Sequence, residues 1–194
     1  MRVLVACEFS GVVRDAFRDL GHDAVSCDLL PSDKLGPHIQ GDVLELLKPD
    51  MWDLMIAHPP CTYLASSGLH WNSRIAGRAQ KTDDALNFVR QLLNAPIPKI
   101  ALENPIGCIS SQIRRPDQII HPWQFGEDAS KATCLWLKGL PVLVPTNILP
   151  GGRSARRSNQ TPSGQNKFGP SPDRWKLRSV TYSGIALAMS NQWG

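Results

Sequence analysis

The chain has no apolar run near the roughly 20 residues needed to cross a bilayer. Its N-terminal run, Arg2-Val3-Leu4-Val5-Ala6, is too short for a secretory leader. Its five cysteines include no C-x-x-C spacing, which argues against a zinc site, and the odd count argues against a disulfide framework. Free thiols fit a reducing, cytoplasmic setting. The sequence also lacks G-x-G-x-x-G. The first turn carries a single glycine, Gly11, a poor cradle for a dinucleotide pyrophosphate.

What is present suits one soluble domain: 194 residues, 42% apolar and 20% charged. The net charge of +4 is unevenly spread. Residues 150–178 hold Arg153, Arg156, Arg157, Lys167, Arg174, Lys176 and Arg178 against one acid, Asp173. Such a stretch is either a phosphate-binding surface or a solvated basic loop.

Residues 2–7 form a continuous apolar run, as expected of a strand covered on both faces. Glu8-Phe9-Ser10-Gly11 makes a turn with Ser10 as a candidate N-cap. Val13, Phe17 and Leu20 then repeat at helical spacing up to Gly21. Further strands are expected at 22–27, ending on Asp28, at 39–43, at 52–57 and at 99–102, with another at 132–137. Ala85, Phe88, Val89, Leu92 and Leu93 mark an amphipathic helix, and Ile185, Ala188 and Met189 a last one. Residues 62–78 read as a mobile loop, and 106–130 as loop with one short helix. The alternation predicts an α/β fold with a doubly wound, mostly parallel sheet. Residues 1–144 and 179–194 form its core, and 145–178 a basic, loop-rich insertion.

Ligands of such sheets bind beyond the carboxyl ends of the strands. Glu8, Asp28, Asp42, Cys61 and Glu103 each fall within a few residues of such an end. The acids after the first three strands suit the hydroxyls and amine of an adenosine-type ligand. Without a phosphate cradle, S-adenosylmethionine fits better than a dinucleotide. Cys61 follows the stiff pair Pro59-Pro60 and is either a nucleophile or a buried structural thiol. As a nucleophile it would add to an electron-poor carbon such as C6 of cytosine. Glu103 would protonate the ring nitrogen, and burial would favour the acid form this needs.

These motifs resemble those of the DNA cytosine-C5 methyltransferase family, especially its compact phage-type members. Pro59-Pro60-Cys61 resembles the family's Pro-Cys nucleophile motif, and Glu103-Asn104-Pro105 its Glu-Asn-Val motif. Glu8-Phe9-Ser10-Gly11 resembles the first cofactor turn. Asp28 stands at the ribose contact, and Gly41-Asp42-Val43 at the adenine contact. Residues 183–188, starting at Ser183, are similar to the closing cofactor motif. Ser130-Lys131-Ala132-Thr133 lies where the family has Gln-x-Arg-x-Arg, which makes Lys131 a stand-in. A cysteine after Pro-Pro, where exocyclic-amine methyltransferases carry an aromatic residue, favours methylation at carbon.

The resemblance implies a Rossmann-like class I methyltransferase fold. It assigns catalysis to Cys61, Glu103 and Lys131, and the cofactor to Glu8, Phe9, Ser10, Gly11, Asp28, Asp42, Pro59 and Ser183. DNA is the implied partner, with Arg153, Arg156, Arg157, Lys167 and Arg174 on its backbone. Two alternatives stay open. One is the same chemistry on a free pyrimidine nucleotide or single-stranded DNA. The other is a catalytically silent fold that binds nucleic acid.

Overall fold

The computed structural model describes residues 1–164, 166, 167, 171 and 174–194, apart from the Trp175 side chain. Seven strands form one sheet: β1 (Arg2–Ala6), β2 (Asp23–Asp28), β3 (His38–Gln40), β4 (Leu54–Ala57), β5 (Lys99–Pro105), β6 (Gln118–Ile120) and β7 (Thr133–Lys138). Their order is β3-β2-β1-β4-β5-β7-β6. The ladders joining β1 to β5 are parallel. The chain moves outward from β1 to β3, then resumes on the other side at β4. The order therefore reverses between β1 and β4, where open α/β sheets form their ligand crevice.

Strand side chains alternate between two cores with period two. Leu4, Ala6, Met55, Ala57, Ile100 and Leu102 face one side, where Leu86, Val89 and Leu92 of a long helix cover them. Val3, Val5, Leu54, Ile56 and Ala101 face the other, with Val13, Phe17, Met189 and Trp193. Those helices are α1 (Val12–Asp19), α3 (Arg78–Leu93) and α6 (Ser183–Trp193). Burial of both faces explains why the strands read as unbroken apolar runs. Fully burying a side chain such as Phe17 contributes about 1.5–3 kcal/mol.

The sheet departs from the sequence expectation at several points. β7 runs antiparallel to both β5 and β6. Residues 121–132 turn back at one edge with no crossover helix, which requires that direction. β6 has three residues, too few to show a period. β5 extends three residues past the expected end, because β7 pairs Glu103 with Leu135 and Asn104 with Cys134 beyond the reach of β4. Glu103 therefore sits inside a strand. Val43 opens a 3-10 turn rather than ending β3, since the Asp42 carboxylate caps Leu44 N–H at 2.9 Å.

The expected mobile loop at 62–78 contains α2 (Ser66–Leu69) and a 3-10 turn, His70–Ser73. It is pinned: the Thr82 hydroxyl donates to the Tyr63 carbonyl at 3.1 Å, and Cys108 N–H donates to the Leu64 carbonyl at 2.9 Å. A Cβ on Gly107 would lie on the Leu64 carbonyl oxygen, so this crossing needs glycine. The short helix foreseen in 106–130 is α4 (Ile109–Gln112). Residues 165, 168–170, 172 and 173, including Asp173, lie outside the described residues. The rest of 145–178 is largely loop, with a 3-10 turn at Gly152–Ser154 and helix α5 (Arg174–Ser179). It packs on 121–130, where Ser130 N–H donates to Asn159 Oδ1 at 2.8 Å.

Candidate active site

Among the five cysteines Cys61 is exposed, Cys7 is intermediate, and Cys27, Cys108 and Cys134 are buried. Cys61 is therefore not among the buried thiols. Its loop leaves β4 and is tied down on both sides. His58 N–H donates to the Ala6 carbonyl at 2.9 Å, and Leu64 and Ala65 donate to the Cys61 carbonyl. Asn104 is 1% exposed and donates from Nδ2 to the Pro59 carbonyl at 2.7 Å. The Glu-Asn pair thus splits its work: Asn104 anchors the Pro-Pro-Cys loop, and Glu103 faces the site.

Lys131 brings its charge to both reactive groups. It draws the Cys61 thiol down, as does Arg178, but desolvation is larger and the Glu103 charge opposes them. The net effect raises the Cys61 thiol above its ordinary value. Part of Cys61 reaches solvent, yet the surrounding protein dominates. For Glu103, burial alone would push the carboxyl pKa up. The Lys131 ammonium, the His58 hydrogen bond and charge, and a smaller contribution from the Thr133 hydroxyl together outweigh it. The carboxyl is held at about 2 against an ordinary 4.5. Glu103 is ionised in the free protein, contrary to the expectation that burial would keep it protonated. His58 Nδ1 lies 3.1 Å from Glu103 Oε2.

The larger cavity, about 470 Å³, opens at the ends of β2, β3 and β4. That is within the usual range for a small-molecule site. Asp28 and Asp42 line it, with Leu29, Val43, Tyr63, Leu64 and Phe88 as apolar walls, and Cys7 and Pro60 toward β1 and β4. Asp28 Oδ1 and Asp42 Oδ1 each accept one backbone N–H of their own turn at 2.9 Å, which fixes both side chains. Lys81 and Asp84 of α3 also border the cavity; nothing in their local pattern distinguishes them from a solvated helix face.

The other expected cofactor residues separate. Glu8 is 4% exposed and caps α1, accepting Val13 N–H at 2.7 Å and Arg14 N–H at 3.2 Å. The expected cap, Ser10, accepts Val12 N–H at 3.4 Å and donates to Glu8 Oε1 at 3.2 Å, while Gly11 holds the N-cap position at φ 69°. A side chain on Gly11 would also strike the Arg14 guanidinium. Glu8, Phe9 and Ser10 line a second, smaller cavity with His58, Ser179 and Thr181. Pro60 borders the larger cavity and Pro59 does not. Ser183 is exposed and borders neither; the returning chain reaches the small cavity through Ser179 and Thr181.

The basic residues also divide. Arg153, Arg156 and Lys167 are exposed and Arg174 is half-buried. Arg157 is 6% exposed: it donates to the Gly152 carbonyl at 2.7 Å and lies over the Trp123 ring at 5.6 Å. Its charge faces Trp123 and Asp128 of the 121–130 stretch rather than solvent. Sequence reasoning missed His58, Asn104 and Arg178 as site residues. The signal for the first two was adjacency to Cys61 and Glu103.

No helix among the described residues is long and apolar enough to cross a membrane. No protein-family profile and no curated protein matches the chain. Among solved structures it is similar to an E. coli protein described as a "putative DNA modification methyltransferase" encoded within a prophage. The likeness has a TM-score of 0.50 at 16% identity and covers 78% of this chain and 53% of the other. The chain thus spans about half the length of that neighbour, and the likeness is one of fold.

Proposed function

We propose that the protein transfers a methyl group from S-adenosylmethionine to C5 of cytosine in DNA, through a covalent adduct with Cys61. The observation that carries this reading is the convergence of an exposed cysteine and a buried carboxylate under one lysine charge, beside a cavity bordered by Asp28 and Asp42. The donor set suits adenosine: two fixed carboxylates accept from hydroxyls and an amine, and apolar walls cover a base. When bound, S-adenosylmethionine supplies an electrophilic methyl group.

The chain's own residues prepare the carbon that receives it. The Cys61 sulfur bonds to C6 of the ring. The C5=C6 electron pair moves to C4–C5, and the C4=N3 pair goes to N3, which takes a proton. C5 thereby becomes nucleophilic. Lys131 and Arg178 favour the thiolate electrostatically. After methylation the C5 proton leaves to water, the S–C6 bond breaks, and N3 returns its proton. Glu103, in a strand and facing Lys131, is the group that exchanges the N3 proton.

One observation favours substrates whose base is already accessible. Arg157 lies over Trp123, and Ser158 and Asn159 bond to Asp128 and Ser130, so this part of the basic stretch is engaged in packing on 121–130. Among the described residues that leaves few side chains to open a duplex, a step that costs a few kcal/mol. Bisulfite sequencing after incubation with duplex and single-stranded DNA, alongside methyl transfer to dCMP, tests the reading. Protected cytosines support it, with higher yield on the single strand. No methylation of any cytosine substrate by protein that binds S-adenosylhomocysteine refutes it.

A further inference from the structure

His58 precedes Pro59-Pro60-Cys61, and its side chain is 7% exposed. Its Nδ1 lies 3.1 Å from Glu103 Oε2. An ionised carboxylate can only accept, so Nδ1 donates. His58 Nε2 is buried and has no hydrogen-bond partner. Buried orphans are uncommon enough to require an explanation. His58 also lines the smaller cavity, of about 30 Å³, with Cys7, Glu8, Ser10, Ser179 and Thr181. That volume exceeds the ~10–15 Å³ a water needs, and the Ser179 wall is exposed to solvent. His58 thus stands between the cavity it borders and the carboxylate to which its Nδ1 donates.

We infer that His58 is the proton-relay partner of Glu103: a cavity water gives a proton to Nε2, Nδ1 passes its proton to Oε2, and Glu103 delivers one to N3 of the pyrimidine. The inference rests on the cytosine reading above and adds the source of the proton. The balance closes. N3 gains one proton as the S–C6 bond forms, the water gives one up, and the same proton returns when that bond breaks. A relay is needed because Glu103, held at about 2, carries no proton of its own at neutral pH. His58 acts through Glu103 and so is a positioning residue. The charged and titratable groups around the pair are Lys131 before β7, Cys134 on β7, Cys7 and Glu8 on the turn after β1, and Cys61 with Arg178.

The test is His58→Asn, which keeps a donor near Glu103 but cannot relay a proton. Methyl transfer to single-stranded DNA is followed from about pH 5.5 to 9. The expected result is a kcat lowered about 100-fold with KM within about threefold. The solvent deuterium isotope effect on kcat that the wild-type relay produces disappears, and the rise due to Cys61 ionisation remains. A kcat within about threefold of wild type, or a loss that leaves the solvent isotope effect in place, overturns the relay alone. A wild-type protein that methylates no cytosine overturns the underlying reading and the relay with it. If His58→Asn fails to bind S-adenosylhomocysteine, imidazole 15N shifts of the wild-type protein decide. A proton on Nδ1 throughout, with Nε2 gaining one as pH falls, supports the relay; a bare Nδ1 overturns it.

Discussion

Replacing Glu103 with Gln tests the electrostatics of the site without any substrate. The folded carboxyl sits at about 2 against an ordinary 4.5. Each pH unit of difference is about 1.4 kcal/mol, so the ionised carboxylate contributes roughly 3 kcal/mol to stability at neutral pH. The sign follows from the direction. A carboxyl depressed by folding stabilises above its ordinary value, and that stability is lost as pH falls from about 4.5 toward about 2. Gln keeps the shape and removes the charge that faces Lys131 and His58. Urea unfolding, followed by tryptophan fluorescence at several pH values, should show wild type ahead by about 3 kcal/mol at pH 7. The gap should shrink below pH 4.5 and close near pH 2. Asp53 and Asp117 are also depressed, but both proteins carry them, so they cancel in the difference. A gap that is small at pH 7, or that stays constant with pH, would refute the account of Lys131 and His58 outweighing burial.

Asp28→Asn together with Asp42→Ala should weaken S-adenosylhomocysteine binding by about tenfold or more, since each lost hydrogen bond to a charged group is worth about 1.5–3 kcal/mol; calorimetric titration measures it, and unchanged affinity counts against the large cavity as the adenosine site. Arg156→Ala should leave stability within about 0.5 kcal/mol and reduce the salt slope of DNA binding by about one. Arg157→Ala should cost about 2 kcal/mol of stability through its lost hydrogen bond to the Gly152 carbonyl. Equal effects of the two on stability would contradict the division of the basic stretch.

Much of this was legible because the relevant signals are local. Continuous apolar runs marked β1, β4 and the start of β5, and both sheet faces are indeed covered. Cys61 and Glu103 were linked because each follows an apolar run, and parallel strands carry such ends to one edge. What escaped depended on partners distant in sequence. The ionisation of Glu103 is set by His58, 45 residues earlier, and by Lys131 on the far side of β6. The direction of β7 followed from a connection with no periodic helix. Arg157 looked like its exposed neighbour Arg156 until Gly152 and Trp123 were placed around it. The second task of Glu8 was also hidden: its carboxylate meets the free N–H groups of α1, a demand that every helix start makes.

The central claim is that the Cys61 sulfur bonds to C6 of a cytosine while a methyl group is added at C5. It is tested most directly with an oligonucleotide carrying 5-fluorocytosine, incubated with the protein and S-adenosylmethionine. Fluorine cannot leave as a proton, so the adduct has no way to break down. The account predicts a denaturation-resistant protein–DNA species whose mass includes the added methyl group, attached at Cys61 and absent in Cys61→Ser. Methyl transfer without any such species, or a species attached at another residue, would contradict it.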